Sequence, residues 1–147
     1  TDGNSGNLVY QNSSDQLAID FTNGSADGAN TDALFRLGDP ADPSGSQAFI
    51  ITNNDDESHV INASYNANTG DASTTENLKF EIYDSGGENV GTISASGETA
   101  SWDASANSAY NVVVTVDTGH STTVLTSGDD LSGTLEFRVD DTAEGGN

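Results

Sequence analysis

In segment after segment of this chain the apolar side chains fall on every second residue, and that period decides what it can fold into. Leu17, Ile19 and Phe21 are separated by Ala18 and Asp20. Leu78, Phe80 and Ile82 are separated by Lys79 and Glu81, and Leu135, Phe137 and Val139 by Glu136 and Arg138. Successive side chains of an extended strand point to opposite faces, so each set predicts a β-strand with one face mostly inward and the other wet. The segments Ala48 to Thr52 and Tyr110 to Val116 are apolar on both faces. They predict central strands, or strands whose outer face a neighbour covers. Further strands are expected at Ala33 to Leu37, His59 to Tyr65, Val90 to Ala95, Thr99 to Asp103 and Thr122 to Leu125.

Between these runs stand turn signals: Asn23-Gly24, Asp27-Gly28, Gly38-Asp39-Pro40, Ser85-Gly86-Gly87, Ser96-Gly97 and Ser127-Gly128. Helix has almost no support. Ser73 stands three residues before Glu76, the spacing of a capping box, but too few residues follow before the Leu78 run. Short strands joined by Gly-rich turns predict an all-β fold, an antiparallel β-sandwich of jelly-roll type over residues 12–142. Residues 1–11 form an N-terminal extension with a detached strand, and residues 143–147 a polar tail.

Charge restricts the setting and the partners. Twenty-four Asp and Glu face three Lys and Arg, a formal net charge of −21 on 147 residues, and the acids are spread along the whole chain. At low salt such a surface repels itself, whereas at about 1 M salt the Debye length falls to ~3 Å and the repulsion is screened. The chain is expected to work in brine. Arg36, Lys79 and Arg138 are too few to track phosphates, which argues against nucleic acid and against an anionic membrane surface. No apolar stretch approaches the ~20 residues of a spanning helix, so membrane insertion is not expected. With no Cys, disulfides and thiolate metal sites are absent. The chain opens at Thr1 and has no Met, which is the expected look of an exported product whose signal peptide has been removed.

The strand series Leu17 to Phe21, Phe49 to Asn54, Leu78 to Ile82, Val113 to Thr118 and Gly133 to Phe137 resembles that of the TasA/camelysin family and its haloarchaeal relatives, including the archaeal bundling pili. The resemblance covers most of the chain and rests on strand patterns. It implies an exported jelly roll that assembles into extracellular fibres, in which the N-terminal segment of one subunit completes a sheet of the next. It further implies a pilus-like filament of a halophilic archaeon, with adhesion, biofilm cohesion and cell contact all open as roles.

The residues fit that implication on their own terms. Leu8, Val9 and Tyr10 form a short apolar cluster set off from the Leu17 strand by the polar run Asn12 to Gln16. Such a segment can add to an open sheet edge of a neighbouring copy, or pair within its own subunit. Three apolar side chains and about five main-chain bonds contribute roughly 10 kcal/mol, against an association cost of ~4–15 kcal/mol, so flanking surfaces must also touch. A head-to-tail contact of this kind does not close and propagates into a filament.

Other chemistry finds little footing. His59 and His120 begin no zinc-protease motif, and neither a nucleophile elbow nor a phosphate loop is present, so no enzyme activity is expected. The acidic pairs Asp55-Asp56, Asp129-Asp130 and Asp140-Asp141 are ordinary in so acidic a chain. No cofactor is required. Calcium is a candidate ligand at Asp27, Asn30 and Asp32, or at Asp39, Asp42 and Ser44, although neither loop follows the EF-hand pattern. Asn12, Asn23 and Asn62 each head an Asn-x-Ser/Thr triplet and are candidate N-glycosylation sites. Trp102, Tyr65, Tyr83 and Tyr110 would be the platform of a monomeric secreted or cell-surface carbohydrate-binding module, the alternative to a filament, or else fill the core.

Overall fold

The computed structural model describes residues 9–11, 17–19, 34–68, 77–94, 97–117 and 133–140. Among the described residues ten strands follow one another: β1 (Val9–Gln11), β2 (Leu17–Ile19), β3 (Leu34–Leu37), β4 (Phe49–Thr52), β5 (His59–Ala67), β6 (Leu78–Tyr83), β7 (Asn89–Ile93), β8 (Thr99–Ala104), β9 (Ala109–Asp117) and β10 (Gly133–Asp140). Every ladder is antiparallel. The all-β sandwich expected from the alternation is therefore the architecture found. The strand expected at Thr122 to Leu125 lies outside the described residues.

Three strands in the order β10-β5-β8 form the smaller sheet. In the larger sheet β9 is central, with β6 and then β7 on one side, while β3 and β4 share its other edge. Phe35 and Leu37 stand against Val116 and Val114, and Phe49 and Ile51 against Val112 and Tyr110. Between these half-strands the chain leaves the sheet at Gly38 and returns at Gln47, the two joined by a single bridge. Gly38 has φ +96°, and a Cβ there would come within 3.1 Å of Val113 Cγ2 and 3.0 Å of the Ser46 carbonyl oxygen, so only glycine fits. Pro43, buried at the tip of this excursion, lies against the β6–β7 turn at Gly87.

Val112, Val114 and Val116 face Ile82, Phe80 and Leu78 in the larger sheet and pack with Ile61, Ala63, Tyr65 and Leu135 of the smaller one in one core. Three aromatic pairs join the sheets: Tyr65 with Phe80 at 5.3 Å, Trp102 with Tyr110 at 5.8 Å and Phe49 with Phe137 at 6.1 Å. Tyr65, Tyr83, Trp102 and Tyr110 are all buried. They fill the interior and offer no sugar-stacking platform, because strand alternation turns Tyr65, Trp102 and Tyr110 inward.

The expectation that the Phe49 segment is central needs correction. β9 is central, whereas β4 pairs only with β9 among the described residues and leaves Ile50 half exposed. One long strand cannot be flanked twice on the same side, so β3 and β4 divide that edge between them.

Candidate functional site

The segment expected to be donated begins outside the described residues at Leu8, while Val9 and Tyr10 lie in β1. There Val9 pairs with Ile19, Tyr10 with Ala18 and Gln11 with Leu17, so β1 and β2 form a two-stranded sheet of their own within the chain. Neither strand is part of a sandwich sheet, although β2 lies beside β10. Three-residue strands in a two-stranded sheet are marginal in water.

The sandwich itself closes differently on its two sides. On one side the chain passes directly from β7 to β8, and Gly91 stands close enough to Ala100 that a Cβ would come within 3.0 Å of the alanine Cβ. That turn is fixed by the Glu98 carboxylate, which accepts from the Ser94 main chain at 2.7 Å, and by Gly97 N–H donating to the Tyr65 carbonyl at 2.7 Å. The Phe49–Phe137 contact sets β4 opposite β10 on the other side. Here β3, β4 and β10 each keep one main-chain edge without a ladder partner among the described residues, as β7 and β8 do on the first side.

All four large apolar residues exposed among the described residues sit on this side: Leu34 at 58%, Phe35 at 49%, Ile50 at 50% and Val139 at 61%. Phe35 and Val139 are in register with the core residues Val116 and Ile61, so they point inward and are nevertheless open. With Leu37, Phe49, Ile51 and Phe137 they line an apolar seam alongside β9 from Tyr110 to Val116, about 20 Å of strand at ~3.3 Å per residue. Natural edges are blunted by charge, proline or a bulge; this one carries Arg36 alone within the two half-strands.

The bases are placed unevenly. Arg36 and Lys79 are both in register with Thr115, one from each side, so a single row crosses the outer face of the larger sheet as Arg36, Thr115, Lys79. Lys79 Nζ pairs with Glu81 at 3.2 Å and Arg138 Nε with Glu136 at 2.9 Å. Arg36 has no ion pair among the described residues. The Thr115 hydroxyl is buried and has no hydrogen-bond partner there either.

Asn62 lies on the outer face of β5, in an open polar trough of about 450 Å³ with Ser64, Thr99, Glu136, Arg138 and Asp140. Its amide donates to the Asp140 carboxylate at 3.4 Å, and Ser64 of the same triplet shares its face. Asn12 and Asn23 lie outside the described residues, as do Asp27, Asn30 and Asp32.

Asp39 and Asp42 shape the excursion instead of converging: Asp39 Oδ1 accepts from Ala41 N–H at 2.9 Å and Asp42 Oδ1 from Gly45 N–H at 3.1 Å. Among the described residues no three His, Asp or Glu side chains cluster as metal ligands, and no helix is long and apolar enough to cross a membrane. His59 Nε2 contacts Asp55 Oδ2 at 2.9 Å, while Asp56 accepts from Asn107 at 3.3 Å, so the adjacent carboxylates serve different partners. His120 lies outside the described residues. No protein-family model, curated protein or solved structure matches this chain.

Proposed function

We propose that the protein is a non-catalytic structural subunit of an extracellular, pilus-like filament formed in high salt, in which a strand from one copy seats in the open side of the next. The seam between β3–β4 and β10 carries this proposal, because inward-pointing Phe35 and Val139 remain half exposed where a further strand would cover them. The N-terminal segment is the donor. Among the described residues its pairing at home is the three-residue ladder between β1 and β2, and exchanging that ladder for a neighbour's seam costs little. The resemblance to exported jelly-roll filament proteins, with a secreted location and possible N-linked glycans, agrees with this use of the fold.

Electron microscopy in molar KCl tests the proposal. The full chain should form fibres and a chain starting at Gln16 should remain dispersed. Fibres from the shortened chain would remove the donor role, and dispersed particles from the full chain would favour the monomeric binding module.

A further inference from the structure

We infer that the outer face of β3, centred on Arg36, docks a carboxylate of a second copy of this chain. The inference rests on the filament proposal for its place in an assembly, and it names one of the flanking surfaces that a marginal donated strand requires.

The first observation is a mismatch of charges. The chain holds twenty-four acidic side chains and three bases. Lys79 and Arg138 each engage a glutamate two residues away, whereas the exposed Arg36 engages no carboxylate among the described residues. In a chain with so large an excess of anions, a guanidinium that holds none of the described carboxylates is available to an external one. Guanidinium and carboxylate match in planar, bidentate geometry, which is a contact of short range. Such a contact persists in brine, where the long-range repulsion between two acidic bodies is screened.

The second observation is independent of the first. Thr115, beside Arg36 in the ladder, is 91% buried by its 9% exposure, and its hydroxyl is without a partner among the described residues. Strand alternation sets it on the same face as Arg36, so a carboxylate held by Arg36 lies next to an unused donor. Lys79 stands on the other side of Thr115, about 10 Å from Arg36 at two strand spacings. Glu81, bound to Lys79, and Asp117, across from Leu34, supply the local negative charge that limits the site to a single carboxylate.

The third observation selects the occupant. Leu34, 58% exposed, shares the outer face with Arg36. This face, with its single guanidinium, complements an outward-facing carboxylate of an acidic surface. A second copy offers such carboxylates on the outer face of its own β10, where Glu136 and Asp140 stand while Phe137 and Val139 face inward. A polyanion such as nucleic acid would instead meet the net charge of −21.

The test uses mixed labelling. Full-length Arg138→Lys chains carrying nitrogen-15 arginine, in which Arg36 is the only arginine, are mixed with equal amounts of unmodified chains carrying carbon-13 carboxylates on Asp and Glu. The concentrated mixture in molar KCl is frozen and examined by dipolar-dephasing solid-state NMR. Any dephasing of the guanidinium signal then comes from another copy. The expected result is dephasing of up to half the Arg36 signal, because half of the neighbours carry the label. Arg36→Lys chains, which retain only Arg138, should show none. Absence of dephasing at Arg36, or equal dephasing at Arg138, would overturn the inference. Electron microscopy of the same samples separates the two claims: fibres without dephasing remove the Arg36 contact alone, and dephasing in dispersed particles removes the filament alone.

Discussion

The side-chain amide of Asn53 donates to the carbonyl oxygen of Ala104 at 3.0 Å, tying the end of β4 in one sheet to the end of β8 in the other. The same nitrogen reaches the Ser105 carbonyl at 3.0 Å and the Glu57 carbonyl at 2.9 Å, so two hydrogens serve three acceptors, and Asn53 Oδ1 accepts from Asp55 N–H at 3.0 Å. One buried amide thus holds the 53–57 loop and both sheets. Asn53→Ala should destabilise the fold by about 3 kcal/mol, because it removes these bonds and strands a buried carbonyl. Asn53→Asp should cost at least as much, since a carboxylate would face three carbonyl oxygens. Guanidinium chloride unfolding in molar KCl measures both, and a loss below about 1 kcal/mol would contradict the role.

Core and seam residues should behave in opposite ways. Phe80 is 2% exposed at the centre of the core, and Phe80→Ala should cost about 3–5 kcal/mol in unfolding experiments. Val139 is 61% exposed, and Val139→Asp should leave the stability of the single chain within about 0.5 kcal/mol. If the proposed filament forms in molar salt, the aspartate variant should lose it, because the charge would sit in the seam assigned to the donated strand. Normal fibres from Val139→Asp would mean that the seam is not the acceptor.

Acid should act on Asp55 in a defined direction. A side-chain hydrogen bond from His59, with main-chain bonds from Asp56 and Glu57, holds the Asp55 carboxyl below its ordinary value of 3.8. A carboxyl depressed in the folded state contributes stability above its ordinary value and loses it as the pH falls through the depressed one. Carboxyl-carbon NMR titration should therefore find Asp55 ionising below 3.8, and His59→Gln should move it back up. An unchanged titration in that variant would show that the histidine is not the cause.

Much of the fold was legible because strand period and turn residues are local signals. The alternation around Phe80 and Leu135 marks inward faces, and the apolar run Val112 to Val114 marks the centre of the larger sheet. The same logic misplaced β4, since a strand apolar on both faces reads alike whether its outer face is covered or, as at Ile50, half exposed. The candidate surface was less legible. Arg36, Lys79 and Thr115 are far apart in sequence and become one row only through the registers of β3 and β6 on β9. The role of Asn53 in joining the two sheets gave no local sign either, because its partners on the other sheet's side stand 51 and 52 residues away.

Calcium should leave the excursion between β3 and β4 unchanged. The Asp39 and Asp42 carboxylates already accept main-chain N–H groups within their own turns, and they do not converge with a third acid among the described residues. Titrating CaCl₂ at constant ionic strength should not shift the thermal midpoint. A saturable rise would place a calcium site in this loop or in the acidic segment Asp27 to Asp32.

Salt should act on this chain chiefly through its unbalanced carboxylates. Only Lys79 and Arg138 offset a neighbouring acid directly among the described Lys and Arg side chains, so most of the charge must be screened by the solvent. The thermal midpoint should rise with KCl and level off near 1 M, where the Debye length is about 3 Å. Sucrose, which strengthens burial through exclusion from the surface, should not substitute for KCl at low ionic strength. KCl and K₂SO₄ of equal ionic strength should nearly coincide on the rising part of the curve if screening is the cause. Fibres of the proposed kind would bring two bodies of net charge −21 into contact and should therefore disperse at a higher salt concentration than the one at which the single chain unfolds. A midpoint independent of KCl, or fibres that outlast the fold on desalting, would show that charge repulsion does not govern either state.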